Sequence, residues 1–249
     1  MWRSILSGGW YRKSDVVAFG DHVNTGPAVI VMEVATRSVM SISTKIAFIG
    51  SHSVRKTNAV HSFAGAVGRA GRSVEVGREV VRFNPLGLNE GATPEAQLWV
   101  IMAQVQQELE LRNRAEVLVT DRAIVDNFAY FLRVTGGEDP FEVTSLVRRW
   151  CLSYDLFVRL LPDVPVQGDG VRSTNTRFRN EIEQILNAII PMYVPEDKLV
   201  TLAASKITES FDWGGLLARL LGPQHATGAE PKPVKLFPTL WDYVDESGL

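Results

Sequence analysis

Residues 45–57 constrain this chain more than any other stretch, because a short apolar, β-branched run ends in a glycine and is followed six and seven residues later by Lys56 and Thr57. A loop of the form G-x-x-x-x-G-K-[ST] wraps backbone N–H groups around a phosphate, sets its lysine on the outer phosphate oxygens and offers its hydroxyl to Mg²⁺. Gly50, Lys56 and Thr57 stand at that spacing. The apolar residues 46–49 supply the buried strand that must come first. Val60, Phe63, Ala64 and Val67 then recur at helical spacing, so a helix N-terminus follows the loop and adds its dipole to anion binding.

The second glycine of the pattern is missing, and Arg55 stands in its place. A Cβ there disfavours the left-handed backbone that glycine adopts freely. Two readings follow. In one, the loop has decayed and the chain binds nucleotide weakly. In the other, the loop still closes and the guanidinium turns to solvent or onto a phosphate.

Composition limits the rest. With 249 residues, 45% of them hydrophobic, the chain is large enough for one α/β domain with appendages. A formal net charge of −2 argues against nonspecific nucleic-acid binding. The single cysteine, Cys151, excludes an intramolecular disulfide and a cysteine-built zinc site, fits a reducing cytoplasm, and reads as a small core residue. No apolar run approaches the ~20 residues that span a bilayer. The N-terminus lacks the apolar centre of a secretory signal.

Three regions differ in character. Residues 1–43 hold glycines and tryptophans without sustained period and read as an appendage, with Met40 a candidate alternative start just ahead of the first strand. Residues 44–221 alternate strand and helix signals, the pattern of a parallel sheet covered by helices. Strands are expected at 45–49, 73–76 with extension toward 80, 116–120, 155–160 and 198–203. Helices are expected at 58–70, 94–112, 124–134, 140–150, 176–190 and 207–221. Thr93 and Pro94 suit an N-cap and first helical position, and Gly71 a helix end. Residues 222–249 form a turn-rich linker and an aromatic tail, which reads as docking on the body or, alternatively, as binding a partner.

Candidate chemistry gathers after the carboxyl ends of the strands, where parallel-sheet nucleotide enzymes hold their ligands. The phosphate loop contributes Gly50, Ser51, His52, Ser53, Val54, Arg55, Lys56, Thr57 and Asn58. After the second strand, Glu79 is placed to take a proton from an acceptor hydroxyl while Arg78 or Arg82 binds an anion, unless this is only a solvated turn. After the third, Asp121 is expected to hold a metal with Thr57, beside Arg122, against the alternative of a structural Asp121–Arg122 pair. Asp126, Asn127 and Tyr130 line an acceptor pocket or serve as a cap and packing groups. Residues 167–174, with Asp169 between two glycines and Arg172 followed by Arg177 and Arg179, suit a flap whose cations reach the transferred group on closure. The alternative there is a surface loop entering a helix capped by Asn175. The four histidines form neither a metal set nor a triad.

With these residues in view, residues 44–221 resemble the P-loop kinases of the nucleoside and nucleoside-monophosphate kinase group. They also resemble the AAA-type ATP-binding domain shared with nicotinamide riboside kinase regulators. Residues 50–57 match the family's phosphate loop, Glu79 its acid after strand two, Asp121 and Arg122 its Asp-Arg pair, and residues 169–172 its lid. The resemblance implies a three-layer α/β/α sandwich on a five-stranded parallel sheet with a kinase-like lid. It further implies ATP with Mg²⁺ as donor, and a small nucleoside- or nucleotide-like molecule as acceptor. Lys56, Glu79, Asp121, Arg122 and Arg172 would then be catalytic, Arg177 would contact the nucleotide, and Thr57 with Asp121 would hold the metal. The chain reads as a cytoplasmic phosphotransferase; a degenerate nucleotide sensor or pseudokinase, or an NTPase, is the alternative.

Overall fold

The computed structural model describes residues 43–87, 89–166 and 175–222. Five strands, β1 (Thr44–Ile49), β2 (Val74–Gly77), β3 (Val117–Asp121), β4 (Leu156–Leu161) and β5 (Leu199–Ala203), form one sheet in the order β2-β3-β1-β4-β5, and every pairing is parallel. β1 and β3 lie inside it and are buried almost throughout, so they read as unbroken apolar runs rather than alternating ones. The helices are α1 (Lys56–Arg69), α2 (Pro94–Leu111), α3 (Ile124–Thr135), α4 (Thr144–Cys151), α5 (Thr176–Tyr193) and α6 (Gly214–Leu221).

Side-chain alternation along β1 sorts the core into two layers. Ile46 and Phe48 pack with α1 and α6 around Phe63, Trp213 and Leu220. Ala47 and Ile49 face the other way, into a cluster built from α2, α3, α4 and α5 around Phe128, Phe157 and Ile182. The fold is therefore the expected three-layer α/β/α sandwich on a five-stranded parallel sheet. Cys151 is fully buried in the second cluster, and burial pushes its thiol up to about 12.

Local signals fix several boundaries. Thr93 Oγ1 accepts from the Ala96 N–H at 3.2 Å with Pro94 beginning α2, and Gly71 follows α1 at φ +78°. Asn175 Oδ1 accepts from the Arg177 and Phe178 N–H groups at the start of α5. Three expected boundaries are corrected. β2 stops at Gly77 instead of running toward Val80, because residues Val80–Phe83 turn into a 3₁₀ helix beside the buried Glu79. α4 begins at Thr144, not Pro140: Glu142 sits at φ 54°, and Asp139 accepts from the N–H groups of Val143 and Thr144 at 2.9 and 2.8 Å, holding a turn where a helix was expected. α6 begins at Gly214, not Ile207; Asp212 accepts from the Gly214 N–H at 2.8 Å, while the preceding Trp213 enters the core against Phe48, Phe63 and Phe211. Among the described residues no helix is long and apolar enough to cross a membrane. The proposed lid, the N-terminal appendage up to residue 42 and the tail from residue 223 lie outside the described residues.

Candidate functional site

The parallel register sets the site. Phe48 of β1 pairs with Asp121 of β3, and the Arg122 N–H donates to the Phe48 carbonyl at 3.1 Å, so the chain leaves both strands at one edge. There residues 50–55 curl into a loop that delivers the N-terminus of α1. No acidic residue occupies the first turn of α1, which leaves its positive end without an internal counter-charge.

Lys56 folds back over this loop. Its side chain is 1% exposed, and Nζ donates to the carbonyls of Gly50 at 2.8 Å and Ser51 at 2.5 Å. These bonds hold an ammonium group, desolvated and oriented, across the loop mouth. Arg55 adopts φ 59°, ψ 25°, the left-handed conformation reserved for glycine in the consensus loop, and it serves as the N-cap residue of α1 without a side-chain cap bond. Its side chain is exposed. Ser53 also lies at φ 59°. The loop is therefore closed around a strained arginine whose head points away from the core. Val54 is buried in the apolar layer beneath α1, and Asn58 is exposed on its first turn.

A left-handed non-glycine residue costs roughly 1–2 kcal/mol. Arg55→Gly is thus expected to stabilise the fold by about 1 kcal/mol, after the extra chain entropy of glycine is deducted. Urea denaturation checks this, with a raised midpoint and an unchanged slope.

At the end of β3, Thr57 Oγ1 donates to Asp121 Oδ2 at 2.6 Å. The other oxygen, Asp121 Oδ1, is buried with no hydrogen-bond partner among the described residues. A hydroxyl and a carboxylate with a spare oxygen, next to a phosphate loop, is a donor set that fits Mg²⁺, which takes one or two protein oxygens and completes its shell with water and phosphate. Ser51 Oγ, Arg122 Nη1 and Asn127 Nδ2 are likewise buried without a partner among these residues, and each belongs to the loop or to the segment directly after β3. Buried polar groups are nearly always satisfied, and although unsatisfied atoms also occur elsewhere among the described residues, the spare Asp121 oxygen beside a phosphate loop and a helix N-terminus marks a place for a polar ligand.

Arg122 does not pair with Asp121, as a purely structural reading would have it. Its Nε donates to Glu79 Oε1 at 2.9 Å, Arg82 Nε donates to Glu79 Oε2 at 3.0 Å, and the Arg122 guanidinium lies 5.1 Å from the Tyr130 ring centroid. Burial works against charge on Arg122, but Tyr130, Glu79, Asp126 and Asp121 outweigh it and hold the guanidinium above its usual range.

Asp126, a position open to two readings from sequence, ties the loop to α3. Oδ1 accepts from the Gly50 N–H at 2.7 Å, and Oδ2 accepts from the Ala123 N–H at 2.9 Å. Desolvation raises its pKa, against the pull of Lys56 and Arg122. His52 stacks on Phe178 of α5 with centroids 5.3 Å apart, and its Nδ1 lies 3.3 Å from the Tyr130 hydroxyl. The Arg133 guanidinium lies 4.4 Å from the same Phe178 ring. Neither the Gly50–Asp126 bond nor the His52–Phe178 stack had a spacing signal, because both join elements more than seventy residues apart. Arg177 is not drawn into this group: its side chain is 88% exposed and pairs with Glu181 at 3.1 Å. Arg172 lies outside the described residues.

Two solved structures are similar to this chain. The thymidylate kinase of Candida albicans aligns with a TM-score of 0.51 at 14% identity, covering 75% of this chain and 94% of that one. The thymidylate kinase of Ehrlichia chaffeensis aligns with a TM-score of 0.45 at 16% identity, covering 68% and 90%. At such identities the first likeness shows the P-loop kinase fold. No curated protein matches the sequence at a significant level. The AAA domain model matches residues 45–193, more than half of the chain. On that match, with a phosphate loop at its start and a parallel sheet around it, the chain belongs to the AAA domain family.

Proposed function

We propose that this protein is an ATP-binding, Mg²⁺-dependent phosphotransferase of the cytoplasm that acts on a small nucleoside- or nucleotide-like acceptor. The observation that carries the reading is the closed phosphate loop: a buried Lys56 ammonium spans its mouth, with the Thr57–Asp121 pair and an unsatisfied carboxylate oxygen beside it. In this reading the 50–57 backbone and Lys56 hold the β- and γ-phosphates, and Thr57 and Asp121 hold Mg²⁺. The metal's chemistry is to neutralise charge on the transferred group. Arg122 directs its open N–H group toward the anionic part of the substrates. Glu79, with both oxygens engaged by guanidinium groups, orients Arg122 and is less suited to act as the proton acceptor. Arg172 supplies a further cation. Transfer is driven by positioned charge more than by covalent participation of the protein.

The degenerate-sensor reading draws on Arg55 and on the aromatic tail, and the tail lies outside the described residues. With the arginine side chain exposed and the loop closed, the phosphotransferase reading is the better supported. Thermal unfolding tests it. At a nucleotide concentration about 100-fold above Kd, Mg-ATP should stabilise the wild-type protein by about 2.7 kcal/mol, and Lys56→Ala should remove most of that gain, each protein being compared with its own unliganded state because Lys56 also anchors the loop. A wild-type protein indifferent to millimolar Mg-ATP and Mg-GTP would overturn it. Arg55→Gly should change nucleotide affinity by less than about threefold (~0.6 kcal/mol); a gain of tenfold or more would transfer support to the sensor reading.

A further inference from the structure

A second concave site lies at the opposite edge of the sheet, where the strands begin. A cavity of about 200 Å³ is lined there by Lys45 of β1 and its paired neighbour Leu118 of β3, by Asp155 and Lys198 just ahead of β4 and β5, and by residues at the carboxyl ends of α2 and α4. Lys45 and Gly50 stand five residues apart along an extended strand, roughly 16 Å, so this cavity is separate from the phosphate loop.

The wall is mostly apolar. Leu118 and Trp150 are buried in it, while Leu109 and Leu152, 52% and 60% exposed, form its mouth. Exposed leucines are ordinary when scattered singly, but two that share a concave wall with a tryptophan line it as a small-molecule pocket is lined. An apolar cavity of about 150 Å³ holds benzene, so this one has room for a single ring with a short substituent.

The charges on the wall do not cancel. Lys45, Arg112 and Lys198 face only two acids, Glu108 and Asp155. Glu108 is fully engaged, by Lys45 Nζ at 2.8 Å and by three further donors from Gln104, Trp150 and Tyr154. Asp155 Oδ2 accepts from the Lys45 N–H at 2.7 Å, and Lys198 Nζ donates to the carbonyls of Leu152 and Tyr154 at 3.3 and 2.8 Å. The half-buried Arg112 guanidinium makes no hydrogen bond or ion pair among the described residues, so the surplus positive charge rests on it. Its planar fork fits a carboxylate bidentately. A phosphate monoester, at about −1.5 to −2 near neutral pH, would carry more charge than this wall offsets.

We infer that this cavity binds a small monocarboxylate with an apolar body about the size of one ring. The carboxylate lies on Arg112, and the body fills the space between Leu109, Leu118, Trp150 and Leu152. Both parts are needed: the apolar wall supplies contact area without direction, and the single free guanidinium fixes which end of the ligand enters last.

An NMR titration of the full chain with phenylacetate tests this. Phenylacetate should bind with a dissociation constant of about 1 mM or lower, and phenylacetamide, equal in size but uncharged, at least about tenfold more weakly. Arg112→Gln should weaken phenylacetate by at least about tenfold while leaving phenylacetamide within about twofold, a pattern that loss of the fold would not produce. Leu152→Asp, at an exposed position on the wall, should weaken both probes by at least about fivefold. Circular dichroism should show that both variants are folded. No saturable binding of phenylacetate by about 10 mM would overturn the inference. Equal affinity for the two probes, phenylacetate binding that survives Arg112→Gln, or tighter binding of the cation phenethylamine would each overturn it as well.

Discussion

Glu108→Ala is expected to destabilise the protein by roughly 3–5 kcal/mol, enough to consume much of the stability of an ordinary domain. The carboxylate is buried on α2 and accepts four hydrogen bonds: from Lys45 Nζ at 2.8 Å, Gln104 Nε2 at 2.7 Å, Trp150 Nε1 at 2.7 Å and Tyr154 Oη at 2.5 Å. Its removal leaves the Lys45 ammonium in the interior with only Ser153 Oγ, at 2.6 Å, and the faces of Tyr154 and Trp150 for company. An uncompensated buried charge costs far more than the pair itself contributes. The effect should also travel. Tyr154 Oη accepts from the N–H of Ile124, the first residue of α3, at 3.2 Å, so the network reaches the helix that carries Asp126. Chemical denaturation measures the loss, and Glu108→Met combined with Lys45→Met should recover most of it, because the charge and its counter-charge leave together. An equal loss in the double variant would mean that the Gln104, Trp150 and Tyr154 donors left without an acceptor, and not the stranded ammonium, set the cost.

How far such features could be read in advance depends on the range over which each is encoded. The phosphate loop was legible because strand, loop and helix are consecutive: the apolar run before Gly50, the Lys56–Thr57 pair and the helical period after it are all local. The parallel sheet followed from alternation of strand and helix, and the caps at Thr93 and Asn175 from residue chemistry at single positions. Boundaries failed where a side chain made a bond that no pattern announces, as with Asp139 closing a turn over residues that look helical, or Trp213 leaving a helical register for the core. Glu108 showed no sign of its importance. On a helical wheel it is one more acid near a helix end, and only the fold brings Lys45, Trp150 and Tyr154 to it from separate elements. The partners of Glu79 and Arg122 belong to the same class: each residue was recognised as chemically capable, but their mutual engagement required the third dimension.

Arg55 shows the opposite limit. The sequence raised a doubt about backbone conformation, and the structure places that residue in the strained region without opening the loop. A closed loop around a left-handed arginine requires that the remaining anchors be firm: the Lys56 bonds to two carbonyls, the Thr57–Asp121 bond, and above all the first glycine.

That glycine is fixed from both sides, and Gly50→Ala is therefore expected to be the most damaging methyl group that can be added at any of the described glycines. Gly50 lies at φ +140°, and a Cβ built on it would stand 2.6 Å from the Leu160 carbonyl oxygen of β4 and 3.3 Å from Val54 Cγ2. The obstacle is main chain in the middle of a parallel sheet, so it cannot turn aside as a side chain would. Nor can Gly50 itself move away, because its N–H is tied to Asp126 at 2.7 Å and its carbonyl to Lys56 at 2.8 Å. Backbone strain of roughly 1–3 kcal/mol and overpacking of similar size add to a loss on the order of 3–5 kcal/mol. Relief by local distortion would tilt the carbonyl that positions Lys56, so whatever protein still folds should lose its response to Mg-ATP. Gly68→Ala provides the contrast within the adjoining helix: a methyl group added there would meet no atom within 4 Å, and relief of glycine's helical penalty should raise stability by about 0.5–1 kcal/mol. Unfolding curves for the two variants should move in opposite directions from the wild type. A Gly50→Ala protein within about 1 kcal/mol of wild type would show that β4 yields at Leu160, and the loop would then be a softer structure than its anchors indicate.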